Sequence, residues 1–229
     1  MLEMILSEPP LLFSLALTAK TCLVTLALFL VAGPAAGCYL ARRRSAASRM
    51  LGFVITIPLV FPPVALGYML LAALGRTSPA GGLLESFGLS LIFNEAAIAL
   101  AGFIAGLPLV VRPLQAAFAS PRLIELEEAA RIHGAGDVDV FLRVTLPLVR
   151  PSLAAALLLG CARVSGEVGI TMMLGGNISE RTNTLSLEIF NAVSRADFDA
   201  ANALCLLLSL FAAVMFLASE ALMRRKPKL

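Results

Sequence analysis

Few side chains in this sequence are equipped for covalent chemistry, and their spacing rules most of it out. His133 is the only histidine, so no Ser-His, Cys-His or His-Glu-x-x-His constellation can be assembled around it. Cys22, Cys38, Cys161 and Cys205 stand far apart, inside or at the edge of apolar runs. They lack the paired spacing of a disulfide framework or a zinc site and read as small packing residues. A phosphate-binding loop needs Gly, four residues, then Gly-Lys-Ser/Thr. Of Lys20, Lys226 and Lys228, only Lys20 precedes a hydroxyl residue, Thr21, and it follows alanine rather than glycine. The chain is therefore expected to hydrolyse no ATP and to carry no cofactor or metal. The remaining candidates are polar groups within apolar surroundings. Arg163 and Glu167 lie four apart on one helical face; with Ser165 between them, they suit an ion pair or the lining of a pathway. Asn177, Ser179, Thr182, Asn183 and Thr184 fit two readings, donors at a mouth or gate and ordinary turn residues.

The elements that must position these residues are helices in a bilayer. With 59% hydrophobic and 14% charged residues among 229, and a mean hydropathy of +0.91, the chain is too apolar for a soluble domain. The net charge of +3 is spread between apolar runs rather than gathered into a stripe, so nucleic acid is excluded as a partner and lipid is expected. A bilayer core requires about 20 helical residues per crossing. Apolar stretches at about 11–40, 51–74, 91–118, 148–174 and 200–223 supply five spans, or six if Pro58, Pro62 and Pro63 split the second. Residues 1–229 then form one all-α transmembrane domain. The opening MLEMILSEPP is acidic, and the run that follows exceeds the apolar core of a signal peptide, about 15 residues. Arginines and lysines gather between spans one and two, between three and four, and after five: Arg42, Arg43, Arg44 and Arg49; Arg112, Arg122, Arg131, Arg143 and Arg150; Arg224, Arg225, Lys226 and Lys228. The positive-inside rule places those segments in the cytoplasm and the N-terminus outside.

The longest cytoplasmic connection, 120–147, is built rather than slack. Ser120 suits an N-cap and Pro121 the first helical position, and Glu125, Glu127 and Glu128 suit the first half of a helix. Gly134 and Gly136 stop it; Asp137 then caps a second short helix that ends at Pro147. Two helices meeting at a glycine corner make a projecting knob. Its acidic face argues against a helix lying on anionic lipid. Within it, Glu128, Ala129 and Ala130 are followed at fixed intervals by Gly134, Val144, Leu146 and Pro147. This resembles the EAA signature of the permease subunits of ABC importers, departing only in Val144 for isoleucine. The resemblance implies a type I importer topology, a coupling helix that docks on a separate ATPase subunit, a homodimer, and an extracytoplasmic binding protein. In that role Ala129 and Ala130 allow close approach and Glu128 offers charge-assisted hydrogen bonds.

A second resemblance narrows the cargo. The Pro-rich span around LPLVFPPVALGYMLL and the segment from Ser165 to Leu185 are similar to those of molybdate-type permeases, and Gly175-Gly176-Asn177-Ile178 to tungstate permeases. The expected function is import of molybdate, with tungstate the near alternative and sulfate or another substrate behind it. A carboxylate facing a dianion repels it, which favours the ion-pair reading of Glu167. An ion-coupled secondary transporter would show two repeated halves, and none is visible.

Overall fold

The computed structural model describes residues 9–224; Arg225, Lys226 and Lys228 of the last basic cluster lie outside them. The described chain is built of helices, which we number in order. Helix α1 (Pro9–Arg42) crosses the molecule in one piece, absorbing Pro34. Helices α2 (Ala46–Val60) and α3 (Pro63–Leu74) come from the Pro-rich run. Ser45 caps α2 by accepting from the Ser48 N–H. Pro58 is tolerated inside α2, whereas the adjacent Pro62 and Pro63 remove two donors together and break the run. Helix α4 (Pro79–Ser86) is a short excursion capped by Ser78. Helix α5 (Glu95–Phe118) starts at an Asn94 cap and contains Pro108 and Pro113.

Next come α6 (Pro121–Ile132), α7 (Asp137–Val140), a π-helical turn (Phe141–Thr145) and α8 (Leu146–Ser165). The last three run on without interruption. Asp137 is thus the first residue of a helix capped by Gly136, and that helix passes through Pro147 rather than ending there. The expected fourth span, 148–174, is also corrected: it breaks at Gly166, and α9 (Gly169–Gly175) continues separately. Helix α10 (Leu185–Ser194) is short and α11 (Phe198–Arg224) long. Four stretches are long and apolar enough to cross a membrane: 11–42, 95–118, 137–165 and 198–217. The split pair α2–α3 lies between the first two. Large apolar side chains such as Val31, Val60 and Leu206 face outward, as lipid contact requires.

The core forms where α1, α5 and α8 cross, around Phe29, Val110, Leu114, Ala156 and Val164. In lipid such crossings depend on small residues that let backbones approach. A Cβ placed on Gly160 would stand 2.5 Å from Val110 Cγ2 and 3.0 Å from the Phe29 ring; one on Gly106 would stand 2.6 Å from that ring. Phe29 itself has no exposed surface and stacks on Phe103 with ring centroids 5.5 Å apart. Gly160→Leu is therefore expected to lower stability by about 1–3 kcal/mol or more through overpacking, read as an earlier thermal transition in detergent; an unchanged transition would disprove this account of the crossing. A second cluster joins α3, α5 and α9 through Leu66, Ala101, Ile170 and Leu174.

Candidate functional site

Helix α6 starts as its sequence dictates. The Ser120 hydroxyl accepts from the Leu123 N–H, and Pro121 occupies the first turn. It ends at His133, which is exposed, followed by Gly134 at φ +86°. The Ala135 N–H donates to Ala130 O at 3.0 Å and the Gly134 N–H to Arg131 O at 2.9 Å, the paired bonds of a Schellman ending. Across the corner, Arg131 Nε reaches Asp137 Oδ1 at 3.2 Å and ties α6 to α7. Two large apolar side chains stand uncovered among the polar residues of the corner: Ile132 is 84% exposed and Val138 72%. Single exposed apolar residues are ordinary, but two flanking one fixed turn form a face suited to a partner.

The motif residues are distributed as a docking face and its root. Glu128 and Ala129 are exposed and Ala130 half-buried on α6. Gly134 stands at the corner, with no atom within 4 Å of where a Cβ would be. Val144 is half-buried and Leu146 and Pro147 exposed where the π turn passes into α8.

One of the acids of the first half of α6 plays a different part. Glu127 is buried, its side chain 4% exposed. Both carboxylate oxygens accept from Arg42 Nη2, at 2.6 and 2.8 Å, and Oε1 also accepts from the Thr145 hydroxyl at 2.5 Å. One carboxylate thus fastens α6 to the end of α1 and to the π turn. Burial alone would push this carboxyl up. The hydrogen bonds from Arg42 and Thr145, with the charges of Arg42 and Arg131, outweigh it and hold the carboxyl below its ordinary range. The sequence carried a signal for this: Leu123 and Glu127 are four apart, and both face inward.

The other candidates lie from the end of α8 to α10, and Ser165, Glu167, Asn177 and Thr182 are each engaged within the chain. Glu167 is buried at the break after α8; Oε1 accepts from the Ile170 N–H at 2.7 Å, and Oε2 lies 2.6 Å from Arg163 Nη2. The expected ion pair is present. The Ser165 hydroxyl donates to Ala162 O, and its carbonyl accepts from Ser186. Thr182 is buried, donating to Gly175 O at 2.7 Å and accepting from the Ile178 N–H at 2.9 Å, so it closes its own loop. Asn177, at φ +49°, exchanges amide hydrogen bonds with Asn191. Lys20, which the sequence leaves unplaced, pairs with Glu95 at the start of α5, 2.5 Å away. Among the described residues no group of three or more His, Cys, Asp and Glu side chains comes together to hold a metal.

Comparison with known proteins agrees with this architecture. Residues 33–226 match the family model described as the binding-protein-dependent transport system inner membrane component. The molybdenum transport system permease protein ModB of Azotobacter vinelandii is 38% identical over 190 residues, covering 82% of this chain and 84% of that protein. The chloroplastic sulfate permease 2 of Chlamydomonas reinhardtii is 36% identical over 206 residues, covering 90% of this chain and 56% of that protein. Among solved structures, a chain of a bacterial alginate ABC transporter in complex with an alginate-bound periplasmic protein superposes with a TM-score of 0.76 at 17% identity, covering 98% of this chain and 82% of the other. Extended over most of the chain, these matches make it a membrane-embedded, non-catalytic permease subunit of an ABC importer, and it belongs to the family of binding-protein-dependent transport system inner membrane components.

Proposed function

We propose that this chain carries molybdate, or its near-isosteric relative tungstate, through the membrane as one half of a homodimer powered by separate ATPase subunits. The observation that carries the coupling half of this reading is the α6–α7 corner. It is capped by paired hydrogen bonds, presents exposed Ile132 and Val138, and is anchored through buried Glu127 to α1 and the π turn. A partner that moves this corner moves the bundle with it. The arginine distribution supports a cytoplasmic corner and an N-terminus on the outer side, where an oxyanion-binding protein would deliver the cargo. ATP-driven closure of the ATPase pair would draw two such corners together and switch the bundle between inward-open and outward-open arrangements.

The cargo assignment is supported by the similarity to the Azotobacter permease; the algal sulfate permease keeps sulfate as the second reading. Proteoliposomes holding the chain, its ATPase and its binding protein should accumulate molybdate or tungstate only when ATP is supplied. Sulfate should fail to compete at equal concentration. Preferred sulfate uptake would move the assignment to sulfate, and uptake driven by an ion gradient without ATP would sink the importer reading.

A further inference from the structure

At the end of the bundle that carries α6, a cavity of about 460 Å³ opens between the end of α1, the first turns of α2 and the last turns of α5. Four arginines line it: Arg43 and Arg44 just beyond α1, Arg49 on α2, and Arg112 on α5. No acidic side chain is among its lining residues. None of the ion pairs among the described residues involves these four arginines. Arg112 is nevertheless held in place. Its Nη2 donates to Gly52 O at 2.8 Å and to the Thr56 hydroxyl, and its Nη1 donates to Gln115 Oε1 at 2.8 Å. All three acceptors are neutral. They orient the guanidinium and leave its charge uncompensated.

Four like charges around one cavity repel each other, and the amino end of α2 adds a positive helix terminus to the same place. An anion inside would relieve that repulsion. Guanidinium forks match tetrahedral oxyanions because their parallel N–H groups meet two oxygens at once. Basic pockets between membrane helices take anionic headgroups for the same reason. We propose that this cavity is a binding site for a tetrahedral oxyanion group, filled by the phosphate of an anionic phospholipid or by a free oxyanion. The site is separate from the α6–α7 corner and does not depend on which cargo the chain transports.

The test uses the full-length chain in nonionic detergent, with two probes. Native mass spectrometry after addition of phosphatidylglycerol reads the lipid arm. Equilibrium dialysis against radiolabelled phosphate and molybdate reads the free-anion arm. One arm should saturate at one ligand per chain and weaken as ionic strength rises. Arg49→Gln and Arg43→Gln, which remove no hydrogen bond to the bundle, should each lower that affinity at least about tenfold. Arg112→Gln should do the same, but it also unties α5 from α2, so the decision rests on the first two variants. Saturation in the lipid arm alone identifies a headgroup site, and saturation in the dialysis arm alone identifies a free-oxyanion site. Absence of stoichiometric binding in both arms, or binding unchanged by Arg49→Gln and Arg43→Gln, would overturn the proposal.

Discussion

Gly134→Val is expected to abolish uptake while leaving the chain at its normal abundance in the membrane. Gly134 sits at φ +86°, a conformation that costs a β-branched residue about 1–3 kcal/mol. Within the chain, that backbone cost is the whole cost, because nothing lies within 4 Å of the position a Cβ would take. The strain falls on a corner outside the apolar spans, so insertion, which follows hydrophobicity and flanking charge, is unaffected. The space beyond Gly134 is the space a docked ATPase would fill, between exposed Ile132 and Val138. The introduced isopropyl group would both tilt α7 away from α6 and occupy that volume. Copurification of the ATPase and ATP-dependent uptake should fall together, by at least about tenfold for each 1.4 kcal/mol of docking energy lost. Full uptake by this variant, at wild-type expression with the ATPase still bound, would remove the corner from the coupling path.

Glu127→Ala should have the second-largest effect, by a different route. It deletes the shared acceptor of Arg42 and Thr145 and leaves the hydroxyl, in a buried site, without its carboxylate. Hydrogen bonds to a charged group contribute about 1.5–3 kcal/mol. Arg42 keeps 38% of its side chain exposed and recovers part of its hydration, which places the loss at the low end of that range. About 2 kcal/mol corresponds to a roughly 30-fold rise in local opening of α6, readable as faster hydrogen exchange across 121–147. Glu127→Gln keeps an acceptor and should fall between the two. Acid should mimic the alanine variant. Because the folded carboxyl is held below its ordinary value, its contribution is fully present above about pH 4.3 and is lost as pH falls through the lower folded value. Exchange at α6 should therefore be flat from about pH 8 to about 5, after correction for intrinsic rates, and rise only in stronger acid. An alanine variant with wild-type exchange would show that α6 is held by something else.

The elements most visible in the sequence are those specified by neighbours along the chain. Ser120-Pro121, Gly134 and the Arg163–Glu167 spacing each act within one or two turns, and each appears in the structure as its chemistry requires. The break after Ser165 was invisible because hydropathy registers composition. Gly169 packs its backbone against Pro63 and Val64 of α3, a contact that composition does not encode. The Lys20–Glu95 pair joins residues 75 apart and belongs to the packing of α1 on α5. Prolines illustrate the same limit. Pro34, Pro108 and Pro113 pass through continuous helices, while only the adjacent pair Pro62-Pro63 separates two. Burial of Glu127 depends on Arg42, which reaches it from the end of another helix.

The uninterrupted path from Asp137 through the π turn to Ser165 gives the corner a mechanical advantage. At about 1.5 Å per residue, its 29 residues extend roughly 43 Å. A rod converts angle into travel in proportion to the distance from its pivot. Its tight crossing, where Gly160 meets Val110 and Phe29, lies five residues before Ser165, so a pivot there would give the corner an arm of roughly 34 Å and the far end one of about 8 Å. Its far end stops at Gly166, next to the buried Arg163–Glu167 pair. A tilt of about 10° at such a pivot would carry the corner through roughly 6 Å and the far end through only about 1 Å, so travel at one face of the membrane would reach the other reduced in distance and multiplied in force.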